Sequence, residues 1–386
     1  MIKLVHSAGI GAALLCVAAV AACARDQRST EDAGDVTSAA SEFSDPREAS
    51  DSVLNFGEYQ VLPASDVRTL TLRHVLSVDL TRDANNIPSR INSIAFHGNR
   101  VYVLDVPAHK LRGYDRSGAS LFAVGKWGRR DGEMTDPIAL GVDGDTLLLL
   151  DVSHYPSIST YDLAGNYVGS RLSDYYDGGT VAFAALGDTT YVATIPHDTA
   201  HNVPYLLRAL DRHGNIIARG CWIDPQYGTS AKRKGQLVMY AFSRLATAGD
   251  RIYCVQPLSP IVQVLTSSAR LKGAFRMAPP FYRAPQDIPA TLNERAMHAF
   301  ESTFTAHFAI HPWKRGFLSV YYRYDTTQAR DEYRLFACER PSDRSPRCAV
   351  ALSPGTPLRI LQPDTLVVAE TSGGATGPHL NFYVIQ

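Results

Sequence analysis

Short apolar runs alternate with tight polar turns along most of the chain, and the alternation itself repeats. The repeated phrase is an apolar strand, a Gly-Asp-like turn, a second apolar strand, a loop, and a third strand ending near Asp-x-x-Gly. The copy starting at Ile91 has its turn at His97-Gly98-Asn99 and its central strand at Val101–Leu104, followed by Asp105. Leu111–Tyr114, Asp115-Arg116-Ser117-Gly118 and Ala119–Val124 complete it. The copy starting at Ile138 keeps the order, with Asp143-Gly144-Asp145, Leu147–Leu150, Asp151, Ile158–Tyr161 and Asp162-Leu163-Ala164-Gly165. Later copies are looser; their central strands begin near Thr190, Ile252, Phe317 and Leu366. Gly, Asn and Asp tolerate the positive φ of a tight hairpin, and the strands are rich in β-branched and aromatic residues.

The central strands recur at roughly 43 to 65 residues, and the shorter spacings suit a four-stranded propeller blade. The two long intervals carry insertions, near Trp222–Tyr240 and Ala278–Ser302. The last copy has three strands, and Leu70–Leu80 is an orphan strand ahead of the first. Pairing the two completes the last blade and leaves no open end to the ring. The expected fold is therefore all-β, a six-bladed β-propeller over residues 58–386 with the N-terminal strand closing the last blade. A seventh blade hidden in an insertion and an ordinary two-sheet sandwich are the alternatives.

The N-terminus has a different texture. Lys3 is the one fixed cation of residues 1–22, and Ile10–Ala22 is apolar and small. This is the layout of a secretory signal, and it is short for a membrane span of roughly 20 apolar residues. An uncleaved anchor helix is the alternative. Val20-Ala21-Ala22-Cys23 resembles the lipobox of bacterial lipoproteins. The resemblance implies cleavage before Cys23, lipid on its thiol, an acylated amine and membrane attachment through more than one chain. By analogy with enteric bacteria, Ala24 after the cysteine directs the protein to the outer membrane, facing the periplasm or the cell surface. Residues 23–57 are rich in Ser, Ala, Asp, Glu and Arg, and read as a flexible tether. A peripheral helix over Arg47–Leu54, capped by Asp45, is the competing reading.

Charge narrows the partners. The chain carries 38 basic and 38 acidic side chains, and removing residues 1–22 removes one base. Such a balance does not recruit nucleic acid. Four cysteines follow Cys23: Cys221, Cys254, Cys338 and Cys348. In an oxidising compartment the local pairings Cys221–Cys254 and Cys338–Cys348 are favoured, each on neighbouring strands; four free thiols are the alternative. No spacing resembles a metal knuckle.

The first two copies resemble NHL-repeat six-bladed propellers. The resemblance rests on Val101-Tyr102-Val103-Leu104-Asp105, His109-Lys110-Leu111, Tyr114-Asp115 and Gly118, and on the glycine-rich link from Gly125 to Pro137. It covers about 80 residues, and it implies fold rather than function. That family includes protein-binding modules, RNA-binding modules and a metal-dependent lyase.

Candidate chemistry is sparse. His109, His154 and His197 each follow a central strand in consecutive copies, and three imidazoles meeting at one channel mouth would suit Zn²⁺. Polar loop residues at corresponding positions are the plainer account. His197 and His201 have helical ligand spacing but lack a zincin glutamate and lie between Pro196 and Pro204. His307 and His311 share that spacing across a strand-like segment, which points to a structural role. Asp105 and Asp151 occupy equivalent strand ends, where carboxylates either bind Ca²⁺ or, more commonly, accept backbone N–H groups. No nucleophile elbow, P-loop or dinucleotide fingerprint occurs. Tyr175, Tyr176, Tyr227, Arg233, Tyr282, Arg283 and Arg295 are residue types found both at binding hot spots and over blade edges. The leading expectation is a lipid-anchored, non-enzymatic module for a protein, peptide or cell-wall glycan; the alternative is a metal-dependent lyase or hydrolase at the channel mouth, with Zn or Ca.

Overall fold

A computed structural model describes residues 67–152, 157–172, 180–186, 189–194, 205–211, 213–222, 243–277, 279–284, 299–313, 316–328, 330–339, 347–361, 364–370 and 377–386. Cys23, the signal, the tether, His154, His197 and most of both insertions fall outside them. Two strands open the described chain, β1 (Arg68–Thr69) and β2 (Leu72–Asp79). Blade one is β3 (Ser93–His97), β4 (Arg100–Asp105), β5 (Lys110–Asp115) and β6 (Ser120–Val124). Blade two is β7 (Pro137–Asp143), β8 (Thr146–Asp151), β9 (Ser157–Asp162) and β10 (Tyr167–Leu172). Blade three is β11 (Thr180–Leu186), β12 (Thr189–Thr194), β13 (Tyr205–Leu210) and β14 (Ile216–Trp222). Blade four is β15 (Arg244–Ala248), β16 (Arg251–Val255), β17 (Ile261–Thr266) and β18 (Leu271–Arg276). Blade five is β19 (Ala306–Trp313), β20 (Gly316–Asp325), β21 (Arg330–Glu339) and β22 (Arg347–Leu352). Blade six is β23 (Thr356–Leu361), β24 (Thr365–Glu370) and β25 (His379–Ile385), completed by β2.

The fold is a six-bladed β-propeller. The first strands β3, β7, β11, β15 and β19 follow one another around the axis, and β23 lies against β3. β2 runs antiparallel to β25, from Leu72 opposite Ile385 to Asp79 opposite His379. The orphan strand of the sequence is thus the outer strand of the last blade. Six separate sheets exclude the sandwich, and each described sheet belongs to one of the six blades.

Why the second strands are apolar without a break follows from their position. Val101 and Val103 of β4 face blade six and join Val367, Leu380 and Phe382 in one core cluster. Tyr102 and Leu104 point the other way and join Leu147, Leu149 and Tyr161 of blade two. A strand buried on both faces has no polar side to show. Each such fully buried side chain stabilises the ring by about 1.5–3 kcal/mol.

The Asp-x-x-Gly turns also work between blades. Asp115 Oδ1 accepts the N–H groups of Ser117 and Ala119. Asp162 repeats this with Ala164 and Asn166, and Asp211 with His213 and Asn215. Gly118 sits at φ 87°, and a Cβ there would lie 2.2 Å from the carbonyl oxygen of Asp79 in the closing strand. The turn of blade one therefore rests on the outer strand of blade six.

Five outer strands carry a β-bulge at one register. The residue left unpaired is Leu121 in blade one, Val168 in two, Ile217 in three, Lys272 in four and Val75 in six. The N-terminal strand thus keeps the bulge of the blade it completes. Blade five alone has an unbroken β21–β22 ladder, and there β1 adds a short parallel fifth strand, Arg68 and Thr69 pairing with Ala349 and Val350. Bulges and covering segments both blunt a sheet edge against pairing with another chain. Each described blade edge uses one or the other.

Two disulfides are present among the described residues. Cys338 and Cys348 face each other across β21 and β22, with Cα atoms 4.2 Å apart. Cys221–Cys254, expected on neighbouring strands, instead joins β14 of blade three to β16 of blade four. It crosses between sheets because the outer strand of one blade lies over the middle of the next. Its loop spans 33 residues, so replacing both cysteines with alanine is expected to cost about 3–4 kcal/mol in urea unfolding. The 10-residue loop of Cys338–Cys348 is expected to be worth about 2–3 kcal/mol by the same measure.

Candidate functional site

Strand directions put the interblade links and the β4–β5-type loops at one end of the ring, and the Asp-x-x-Gly turns at the other. Asp105 and Asp151 stand at this linker end, and both are buried. Asp105 accepts from Ser89 N–H, Ser89 Oγ and Arg90 N–H, and pairs with Arg112 at 3.0 Å. Asp151 accepts from Thr135 N–H at 2.7 Å and Asp136 N–H at 3.1 Å. The two carboxylates thus clamp the incoming link at the same offset in successive blades. Their oxygens hold the link entering the blade, 15 and 16 residues back in the chain, rather than the turn that follows them. Blade four does this with amides: Gln256 and Gln263 both donate to the Trp222 carbonyl, and Gln263 accepts from Trp222 N–H.

His109 follows β4 with φ 50°, and its Nδ1 is buried without a hydrogen-bond partner among the described residues. The nearby Asp136 carboxyl is pushed up by burial and then by Asp151, while His109 acts to lower it. His154 and His197 lie outside the described residues. Among the described residues no three His, Cys, Asp or Glu side chains converge as a metal site.

His307 and His311 do not act as a pair. His307 is buried, stacks on Tyr321 at 4.6 Å and meets Ser319 Oγ at 3.0 Å. Burial lowers its pKa to about 3, so it is a neutral core imidazole. His311 stands instead beside Arg359 of blade six; burial, then that guanidinium, lower it to about 4. Of the tyrosines and arginines singled out in the loops, Tyr282 is a blade cover, donating to the Leu258 carbonyl at 3.0 Å. Tyr175, Tyr176, Tyr227, Arg233 and Arg295 lie outside the described residues.

Two features at the linker end escape a reading of motifs. One is the link between blades one and two. Gly128 N–H and Met134 N–H bond across it to the Met134 and Lys126 carbonyls, Lys126 pairs with Glu133 at 3.1 Å, and Arg130 N–H donates to Glu133. This braced loop holds Trp127 outward at 69% exposure, with Arg129 and Arg130 also exposed. A Gly-Lys-Trp-Gly-Arg-Arg stretch is the only sequence signal for it, and exposure is not visible in sequence.

The other is a buried acidic knot beside blade five. Tyr322 Oη lies 3.1 Å from Asp331 and 3.4 Å from Glu301. Burial, with Asp331 adding to it, pushes Glu301 up to about 7. A carboxyl raised in the folded state stabilises below its unfolded value and loses that contribution as pH rises through the folded value. Stability is therefore expected to fall between about pH 4.5 and 7. Glu301→Gln should flatten that slope in melting temperature measured against pH; an unchanged slope would remove Glu301 from the account.

No family model matches the chain, and no curated protein matches it. Solved structures do match. A Bacteroides fragilis protein assigned as exported superposes with a TM-score of 0.58 at 12% identity, over 86% of this chain and 99% of its own. A member of the DUF4221 family from Bacteroides vulgatus gives 0.59 at 9% identity, over 83% and 98%. At such identities the likeness is one of fold: this chain shares with both the ring of small sheets described above.

Proposed function

We propose that this chain is an exported, lipid-anchored propeller that serves as an interaction module for a protein, peptide or cell-wall glycan. The lipobox-like Val20-Ala21-Ala22-Cys23 supports the anchor, and the exported assignment of a fold neighbour agrees with a cell-envelope setting. The observation that carries the binding role is Trp127. A large aromatic costs free energy when left in water, and this one is held there by a braced loop next to two arginines. Aromatic and arginine side chains on a rigid support are the residue types that dominate binding energy. The linker end is also the end at which successive loops of all blades gather.

The test is photo-crosslinking from position 127 in cells, followed by solubilisation in detergent. A discrete cross-linked partner that disappears with a probe at the distal Gly144 turn supports the reading. Trp127→Ala is expected to weaken capture of that partner about tenfold or more, with an unchanged melting temperature. No cross-link at 127, or equal capture by Trp127→Ala, would refute it. Under this reading chelator leaves stability unchanged; stoichiometric zinc in purified protein would favour the lyase or hydrolase alternative.

A further inference from the structure

The six first strands line the channel, and their residues can be aligned by the partners they face in the second strands. Tyr102, Leu148, Tyr191, Tyr253, Leu318 and Val367 hold one register position, two residues beyond the start of each second strand. Their partners are Ala95, Gly141, Ala184, Ala246, His311 and Arg359. Four blades thus place alanine or glycine at this level of the ring, and blades five and six place an imidazole and a guanidinium. Two residues nearer the linker end the pattern recurs. Arg244 pairs with Val255, while Ser93, Ala139, Ala309 and Thr356 hold the same level in other blades.

The three basic side chains each lean toward the next blade. Arg244 lies over the Phe308 ring at 5.6 Å, His311 stands beside Arg359, and Arg359 Nη1 donates to the Ile94 carbonyl at 3.4 Å. All three are enclosed by protein yet keep partial solvent contact. Among the described residues the lining strands carry little negative charge. The six lining strands hold no glutamate and one aspartate, Asp143, exposed at the far turn of β7. Among the described residues no carboxylate pairs with Arg359; its one hydrogen bond is the long contact to Ile94.

A guanidinium drawn out of water without a counter-charge is costly. Here the residues at its level on four of the other first strands are alanine or glycine, with no side chain that would neutralise it. We propose that the channel holds an anion site, in which Arg359 and His311 grip an oxyanion group, phosphate or carboxylate, and Arg244 draws it in from the linker end. The forked donors of arginine match the two oxygens of such a group. The neutral imidazole supplies one further N–H, and it gains a proton more readily once the anion is present.

Calorimetric titration of the purified full chain with inorganic phosphate, and separately with acetate, tests this at low salt. Saturable binding of one anion per chain is expected for at least one of them, and the stronger arm identifies the group. Arg359→Gln should weaken it about tenfold or more, and Arg359→Lys less. The ring resonances of His311 should titrate at higher pH with the anion bound. Arg359→Met, which removes the buried charge, should keep or raise the melting temperature without anion and abolish the anion's effect on it. No saturable binding of either anion to about 10 mM, equal affinity in Arg359→Gln, or a marked loss of stability in Arg359→Met would each overturn the proposal. Trp127→Ala is expected to leave anion binding intact, so failure at the loop and failure in the channel are separable.

Discussion

A chain begun at Thr81 is expected to lose its cooperative thermal transition. The truncation removes β2 with its flanks and so deletes Leu70, Val78 and Leu80, all buried to 4% exposure or less, each worth about 1.5–3 kcal/mol. It also strips β25 of its partner over the whole ladder and exposes an unbulged edge. A typical domain has only about 5–15 kcal/mol of net stability, so this loss removes most or all of it. Calorimetry of the truncated chain checks the point, and a melting transition like that of the full chain would show that β2 does not close the ring. A milder variant isolates the contact itself. Gly118→Ala places a Cβ against the Asp79 carbonyl at a positive φ. The melting temperature should fall by roughly 2–4 °C for each kcal/mol lost, whereas an alanine at the open Gly144 turn meets no neighbouring atom and carries the φ cost alone.

Asp105→Ala is the point substitution expected to cost most, about 3–5 kcal/mol. The carboxylate is fully buried and holds two backbone N–H groups, a serine hydroxyl and Arg112. Without it Arg112 keeps its contact with Asn86 but loses its counter-charge in the core. Asp151→Ala should cost less, about 1–3 kcal/mol, because the position of Arg112 is taken in blade two by Ser159. The double variant Asp105→Ala with Arg112→Met should recover a large part of the loss, since no unpaired charge is then buried. Urea unfolding of the four chains decides it. Equal costs for Asp105→Ala and Asp151→Ala would mean that the ion pair adds nothing to the clamp.

The histidine constellation shows where motif reasoning stops. Correspondence of His109, His154 and His197 along the repeat says that they share a loop, and loops are where chain direction is least constrained. His109 is held in a left-handed turn under the 125–134 link, which no spacing rule announces. His307 and His311 look like a ligand pair by count. The bulge at Phe308 and the strand alternation send one toward Met277 and Ser319 and the other toward Arg359. Asp105 and Asp151 were legible as equivalent carboxylates at strand ends, but their partners were not, because the N–H groups they meet lie 15 and 16 residues back in the incoming link.

By itself the sequence determined the blade. Strand alternation, the Gly and Asp turns, the spacing of central strands and the need to give Leu70–Leu80 a partner all arise from interactions within one sheet or one turn, and such interactions are written locally. Only the tertiary structure decided what passes between sheets. It set the Cys221–Cys254 bridge across two blades, the choice between a bulge and β1 at each outer edge, and the meeting of His311 with Arg359 from residues 48 apart in the sequence. Those contacts depend on which faces the closed ring turns toward one another, and that is a property of the whole circle rather than of any segment of the chain.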